Sequence, residues 1–356
     1  MIRVGVVGAG HMPQRAHIPS LIAERERCTV VALADPKPET ARRVAERFGI
    51  PATYTGLRDL LLHEQVDALV TSVPDAAHAD TTIAALEAGA HVFMEKPLAT
   101  TVEDGERMVA AARAAQRVLQ VGFQRRHDPA AERVRALLSD WQNTGELGEL
   151  RLVRYLSLGG DWICSPDPII DARDTPVTGI PPYRWPEGLP TSLQRKWDRM
   201  NNYVSHVLDL LRYLLGPPSC VLSAHLDRAT AWTVSLDWGG VPVELAQGPE
   251  QRGRWQEWIE FLFDGGWLRF STPPALRINT PGRIEVYRAG EGRIEEIEAP
   301  FEWAFRRQIT HFLRAVAGEV APNPTPEEAL GTLYSVDAIF RRAVESPEGT
   351  PIPRPK

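Results

Sequence analysis

Two stretches of this 356-residue chain carry side chains that could do chemistry together. The first is His91-Val-Phe-Met-Glu-Lys-Pro97, an apolar strand pattern that ends in a carboxylate, an amine and a proline. Pro97 restricts Lys96 to extended backbone, so its amine leaves the strand end in a defined direction. Such an amine can hold or polarise an oxygen; the plainer alternative is a surface lysine. The second stretch is Asn201 to Leu215, which opens on asparagine, closes on Gly216-Pro217-Pro218 and reads as a helix. At roughly 100° per residue, Asn202, His206, Asp209 and Tyr213 share one face, opposite Val204, Val207, Leu208, Leu211, Leu214 and Leu215. Histidine ionises near neutrality and suits proton transfer. The competing reading is a polar face that is simply wet.

The elements before Lys96 have the pattern of a dinucleotide fold. Ile2 to Val7 is a β-rich run that enters Gly8-Ala9-Gly10-His11-Met12-Pro13, and strand, glycine turn and helix in that order give the motif meaning. Gly8 permits the turn, Gly10 lets backbone approach a pyrophosphate, and the helix start at His11 and Met12 points N–H groups at the phosphates. Pro13 stands where Gly or Ala is usual, and proline is tolerated in a first helical turn. A purely structural turn is the alternative. The next strand, Thr29 to Ala34, ends in Asp35, about 25 residues past Gly10, where a carboxylate accepts ribose hydroxyls and repels a 2′-phosphate. NAD is therefore expected, with NADP as the alternative because Lys37, Arg42 and Arg43 follow closely. Helices at Glu39 to Phe48, Leu57 to Leu62, His78 to Glu87 and Thr101 to Gln116 alternate with strands at Val66 to Val73, His91 to Met94 and Val118 to Phe123. That alternation predicts a doubly wound parallel sheet. Pro74 and His78 lie at the strand edge where ligands bind in such sheets.

Past Gln124-Arg125-Arg126-His127-Asp128-Pro129, the pattern changes. A helix is expected from Pro129 to Leu138 and a strand from Leu150 to Leu158. Gly159 to Met200 lacks periodicity, holds seven prolines and carries Trp162, Trp185 and Trp197. A loop that long is usually a functional flap or an insertion, and its tryptophans either stack on a ligand or pin the loop to the core. Alternating segments from Val221 to Ile297 predict an antiparallel meander. Helices are expected at Phe301 to Ala317 and from Thr325-Pro326-Glu327-Glu328 to about Val344, with a mobile tail at Ser346 to Lys356.

Size suggests about two domains, placed at 1–123 and 124–356, with the last helix expected to pack back toward the first. Net charge is -6 at pH 7, which argues against nucleic-acid binding. Cys28, Cys164 and Cys220 have no CxxC spacing, so no metal site is expected and a reducing cytosol suits them. No apolar run reaches the ~18 residues of a membrane helix, and the first strand leaves no room for a leader. A cytoplasmic protein is expected.

The set Gly8-Ala9-Gly10, Asp35-Pro36, Val73-Pro74-Asp75-Ala76-Ala77-His78, Ala85 to Val92 and Glu95-Lys96-Pro97-Leu98-Ala99 resembles the Gfo/Idh/MocA oxidoreductases over the first ~125 residues. The resemblance implies a Rossmann domain followed by an α+β domain on a large open, mostly antiparallel sheet, and a homodimer or homotetramer formed through that sheet. It also implies that Lys96 touches both the nicotinamide side and a substrate hydroxyl, with Glu95 as its partner. Arg126 would then reach substrate oxygens, unless it bridges the domains. Family members carry Asp-x-x-x-His-x-x-Asp where this chain has Asn202, His206 and Asp209. A base at His206 would take the hydroxyl proton as hydride leaves, and an amide at 202 orients without supplying charge. The activity implied is hydride transfer between nicotinamide and a secondary alcohol or ketone of a sugar or cyclitol, with Trp162 and Trp197 as candidate ring-stacking residues. Two alternatives stay open: a cofactor-recycling glycoside-cleaving or epimerising enzyme, and a nucleotide-binding regulatory protein.

Overall fold

Period-two alternation in the first strands decides how the first sheet is covered. In β1 (Ile2–Val7), Val4 and Val6 join one apolar cluster and Val7 the other; in β2 (Cys28–Ala34), Leu33 points one way and Ala32 and Ala34 the opposite way. Both faces are apolar, as a buried parallel sheet requires. The structure is a computed structural model that describes residues 1–165, 167–172, 177, 180–226, 231–249 and 253–345. The expected mobile tail at Ser346 to Lys356 lies outside the described residues.

After α1 (Ile18–Ala23), helices α2 (Pro38–Phe48) and α3 (Leu57–His63) flank β3 (Ala52–Tyr54), a short strand absent from the sequence reading. Three residues are too few for a period to show. β4 (Ala68–Thr71), α4 (His78–Glu87), β5 (His91–Met94), α5 (Val102–Ala115) and β6 (Leu119–Val121) complete a parallel sheet of order β3-β2-β1-β4-β5-β6. The order reverses at β1 and β4, so the crevice for a ligand opens at their C-terminal ends.

After α6 (Pro129–Thr144), which runs on past Leu138 because Trp141 is buried and Gly145 supplies a left-handed cap, the second sheet begins. Its strands are β7 (Leu150–Gly159), β8 (Cys220–His225), β9 (Trp232–Trp238), β10 (Val241–Gln247), β11 (Gln256–Phe263), β12 (Gly266–Ser271), β13 (Arg283–Arg288) and β14 (Arg293–Ile297). The order is β14-β13-β12-β11-β7-β10-β9-β8, antiparallel except where β7 runs parallel to β10. Ser157 pairs with Gln247 on one side and Glu257 on the other, which sets three polar side chains in a row across the inner face.

Packed on α6 is α7 (Thr191–Leu215), ten residues longer than expected at its start. Pro190 precedes its first residue, and Trp197, Met200, Asn201 and Val204 form a buried stripe that continues the C-terminal half. α8 (Ala304–Val316) returns to the first sheet, where Ile309, Phe312 and Leu313 pack with Val4, Val6 and Phe93. α9 (Pro326–Glu345) starts with a capping box in which Glu328 N–H donates to Thr325 and Thr325 N–H donates to Glu328, and it packs on both α5 and α7. No described helix is long and apolar enough to cross a membrane.

Candidate active site

The glycine turn is built as its sequence suggests. Gly8 has φ +99°, and a Cβ there would sit 2.2 Å from the Ser72 carbonyl oxygen, whereas a Cβ at Gly10 would meet open space. Proline at position 13 opens the following helix with a π-helical turn, Pro13–His17, in which Ile18 N–H bonds back to the Pro13 carbonyl. The groove above, a cavity of about 630 Å³, is lined by Gly8, Gly10, His11, Met12, Asp35, Lys37 and Pro74 among others. This backbone fits a dinucleotide: Gly10 leaves room for phosphates, and the first-turn N–H groups have no carbonyl within the helix to bond. Asp35 is held at the strand end by N–H donors from Ala9 (2.7 Å) and Lys37 (2.8 Å). Arg42 is spent on Glu39 and Glu46, leaving Lys37 as the cation of that trio that lines the groove.

A second cavity of about 300 Å³ shares Met12, Ser72 and Val73 with the groove, so the two adjoin. Lys96, Asn202 and His206 all line it. Lys96 arrives from the end of β5 and its Nζ donates to the Asn202 side-chain oxygen. Asn202 and His206, one turn apart on α7, are joined there by Arg199 and Tyr203 at the spacing of one helical stripe. Two buried side chains of the same helix fix it against the loop that follows Lys96: Trp197 Nε1 donates to Thr100 O and Asn201 Nδ2 to Ala99 O, both at 3.0 Å.

Burial lowers the Lys96 pKa, helped by Arg125 and opposed by Glu95 and Asp75. Burial, then the charges of Lys96 and Arg125, hold His206 well below its ordinary range, so its ring is neutral at pH 7. Its Nδ1 has no hydrogen-bond partner among the described residues. Glu95 is committed elsewhere: Oε1 accepts from buried His17 at 2.8 Å and Oε2 accepts the Lys96 N–H. Burial pushes this carboxyl up, but His17 and Lys96 outweigh it and hold it below the usual range. His78, also at the cavity wall, is clamped between the carbonyls of Pro97 (2.7 Å) and Val73 (3.1 Å), so it positions the Lys96 loop.

Three expectations fail. Arg126 is fully buried and forms a bidentate pair with Asp209 at 2.7 and 2.8 Å, with Glu328 beside it; it cannot reach a substrate. The adjacent Arg125 lines the cavity instead, paired with Glu257. Trp197 is a core residue at 0% exposure, and the Asp209 and Tyr213 end of the polar face is packed, not wet, with Arg126 and Arg135 over the Tyr213 ring. Trp162 does reach the cavity, its ring 5.3 Å from that of His11. Residues the sequence reading missed are Tyr155 and Ser157 on β7, Gln247, Trp255 and Glu257. Strand alternation marks Tyr155, Ser157 and Glu257 as inward-facing, but not which inward positions border a cavity.

A groove fit for a nucleotide beside a cavity lined by a lysine, an amide and a neutral histidine is the mark of a nicotinamide-dependent oxidoreductase. The sequence profile described as "Oxidoreductase family, NAD-binding Rossmann fold" matches residues 2–123. The chain is 38% identical over 345 residues to dTDP-3,4-didehydro-2,6-dideoxy-alpha-D-glucose 3-reductase of Saccharopolyspora spinosa, covering 91% of this chain and 90% of that one. To the inositol 2-dehydrogenase/D-chiro-inositol 3-dehydrogenase of Shouchella clausii it is 42% identical over 129 residues, which is 36% of this chain and 37% of the relative. Among solved structures it is similar to KijD10, a 3-ketoreductase from Actinomadura kijaniata in complex with NADP and TDP-benzene, with TM-score 0.74, 26% identity, and 96% and 97% of the two chains covered. This chain belongs to the Gfo/Idh/MocA oxidoreductase family. It is a dehydrogenase or reductase of the NAD(P)-dependent kind.

Proposed function

We propose that this enzyme interconverts a ketone and a secondary alcohol on the ring of a sugar derivative, with Lys96 at the reacting oxygen and His206 as its proton partner. The observation that carries this reading is the convergence of Lys96, Asn202 and His206 on one cavity that shares wall residues with the nucleotide groove. A bound nicotinamide, NAD or NADP, supplies or accepts the hydride. In the reducing direction, the Lys96 ammonium, its pKa lowered by burial, donates a proton from Nζ to the forming alkoxide. Running the other way, the same Nζ takes the hydroxyl proton back, and neutral His206 beside it is free to relay that proton to and from Lys96. Asn202 orients the lysine without adding the negative charge that would make it a weaker acid. Trp162, Tyr203 and Trp255 offer flat apolar faces and Gln247, Glu257 and Arg125 offer hydrogen bonds, a mixture suited to a sugar ring. The named relatives, a dTDP-sugar 3-reductase and an inositol dehydrogenase, make nucleotide-linked keto sugars and inosose the first compounds to try. A homo-oligomer is proposed through the outer face of the second sheet, where Arg269 lies over Trp258 and Trp267.

The test is turnover of reduced nicotinamide against a panel of ring ketones, and of the oxidised form against sugars and inositols. At least one ring substrate should react, and Lys96→Met should lower kcat roughly 10²- to 10⁴-fold while nucleotide binding stays within a few-fold of the parent. Tight nucleotide binding without any turnover across the panel overturns the proposal.

A further inference from the structure

The segment 167–172 arrives from far along the chain, after β7, yet it crosses the Asp35 end of the nucleotide groove. Three separate anchors hold it. Gln14, 5% exposed and presented by the π-helical turn, makes a reciprocal pair with Ile170, donating from Nε2 to its carbonyl and accepting its N–H, both at 2.8 Å. The same Nε2 also donates to Ala9 O at 2.7 Å, which ties the segment to the glycine turn itself. Ala172 N–H donates to Thr40 Oγ1 at 2.8 Å, and Arg15 donates to the Asp167 carbonyl. With backbone fixed on both sides, Asp171 has its carboxylate on Lys37, Nζ to Oδ1 2.7 Å. Asp35, Lys37 and Asp171 all line this end of the groove.

We propose that Asp171 is a specificity-determining residue for the cofactor: by occupying Lys37 from across the groove it disfavours a nucleotide carrying a 2′-phosphate. Two carboxylates and one ammonium leave this end negative. A ribose with both hydroxyls free meets Asp35 as acceptor and leaves the Lys37 to Asp171 pair intact. A 2′-phosphate carries about two negative charges and must take Lys37 away from Asp171 while facing both carboxylates. Discrimination therefore depends on a residue outside the nucleotide-binding sheet, and exchanging Asp35 alone does not convert it.

The inference rests on the groove holding a dinucleotide, which the same experiment checks. Calorimetric titration of the full chain with NAD and with NADP, at one ionic strength, gives the ratio of the two Kd values. Asp171→Asn should shift that ratio about tenfold toward NADP, Lys37→Met should shift it toward NAD, and Asp171→Glu should leave it within about twofold of the parent. A ratio unmoved in both Asp171→Asn and Lys37→Met overturns the proposal, as does an equal change in both affinities, which would make Asp171 only an anchor. Failure of the parent to bind either nucleotide overturns it together with the reading of the groove.

Discussion

Asn202 is the side chain that Lys96 meets on α7, and an amide there sets the charge balance of the cavity. Its side-chain oxygen accepts from Lys96, so the lysine keeps an orienting partner but gains no counter-charge in a buried cavity. Restoring a carboxylate should act on both titrating neighbours in the same direction. Asn202→Asp is expected to raise the pKa of Lys96 and of His206, and so to move the pH profile of kcat/KM upward by about one unit or more. A profile superimposable on the parent's would remove Asn202 from the proton chemistry. The strand end at Lys96 and the helix stripe of Asn202 and His206 each dictate a direction, and the three line one cavity. Arg125 was not legible in the sequence, since two adjacent arginines give no clue to which one packs inward; the pairing of Arg126 with Asp209, settled 83 residues away, decides it.

The element that organises the site is α7. Its start at Thr191 escaped notice because prolines dominate the preceding stretch and Trp185 and Trp197 resemble a binding loop, although Trp185 is exposed beside Asp198 and Trp197 is core. The stripe Trp197, Asn201, Val204 and Leu208 follows ordinary helical spacing once the helix is allowed to begin earlier. Farther along, Asp209 ties α7 to Arg126 in a fully buried pair, and through it to the exposed Glu328 of α9. Asp209→Ala should leave the guanidinium buried without its main partner and lower stability by about 3–5 kcal/mol. Replacing both, as Arg126→Met with Asp209→Leu, should recover most of that loss in urea melts. Equal destabilisation of the single and double variants would mean that packing volume, and not the stranded charge, is what matters there.

Across the whole molecule, the joint between the two sheets carries opposed titrations. Burial, followed by the neighbouring His311, pushes His127 down from 6.5 to about 3, while burial pushes Asp128 up from 3.8 to about 6. The depressed histidine contributes stability that is present above pH 6.5 and is lost as pH falls toward about 3. The raised aspartate contributes stability that is present below pH 3.8 and is lost as pH rises through about 6. Between those limits the two slopes cancel. Asp128→Asn keeps an acceptor for the Ala130 N–H but removes one slope, so its stability should fall below the parent's by about 1.4 kcal/mol for each pH unit from roughly 6 down to 4. Parallel pH dependence of the parent and the variant in urea melts would show that Asp128 does not titrate in that window. By itself the sequence determined the parallel sheet and the antiparallel meander, because each follows from local periodicity and turn chemistry, and through its family resemblance it singled out Lys96, Asn202 and His206, which line one cavity. Tertiary structure alone decided that Arg126 is structural and Arg125 faces the cavity, that Trp197 is core, and that Asp171 lies over the nucleotide groove. Those outcomes depend on which distant group is within a few ångströms, and local spacing carries no record of such contacts.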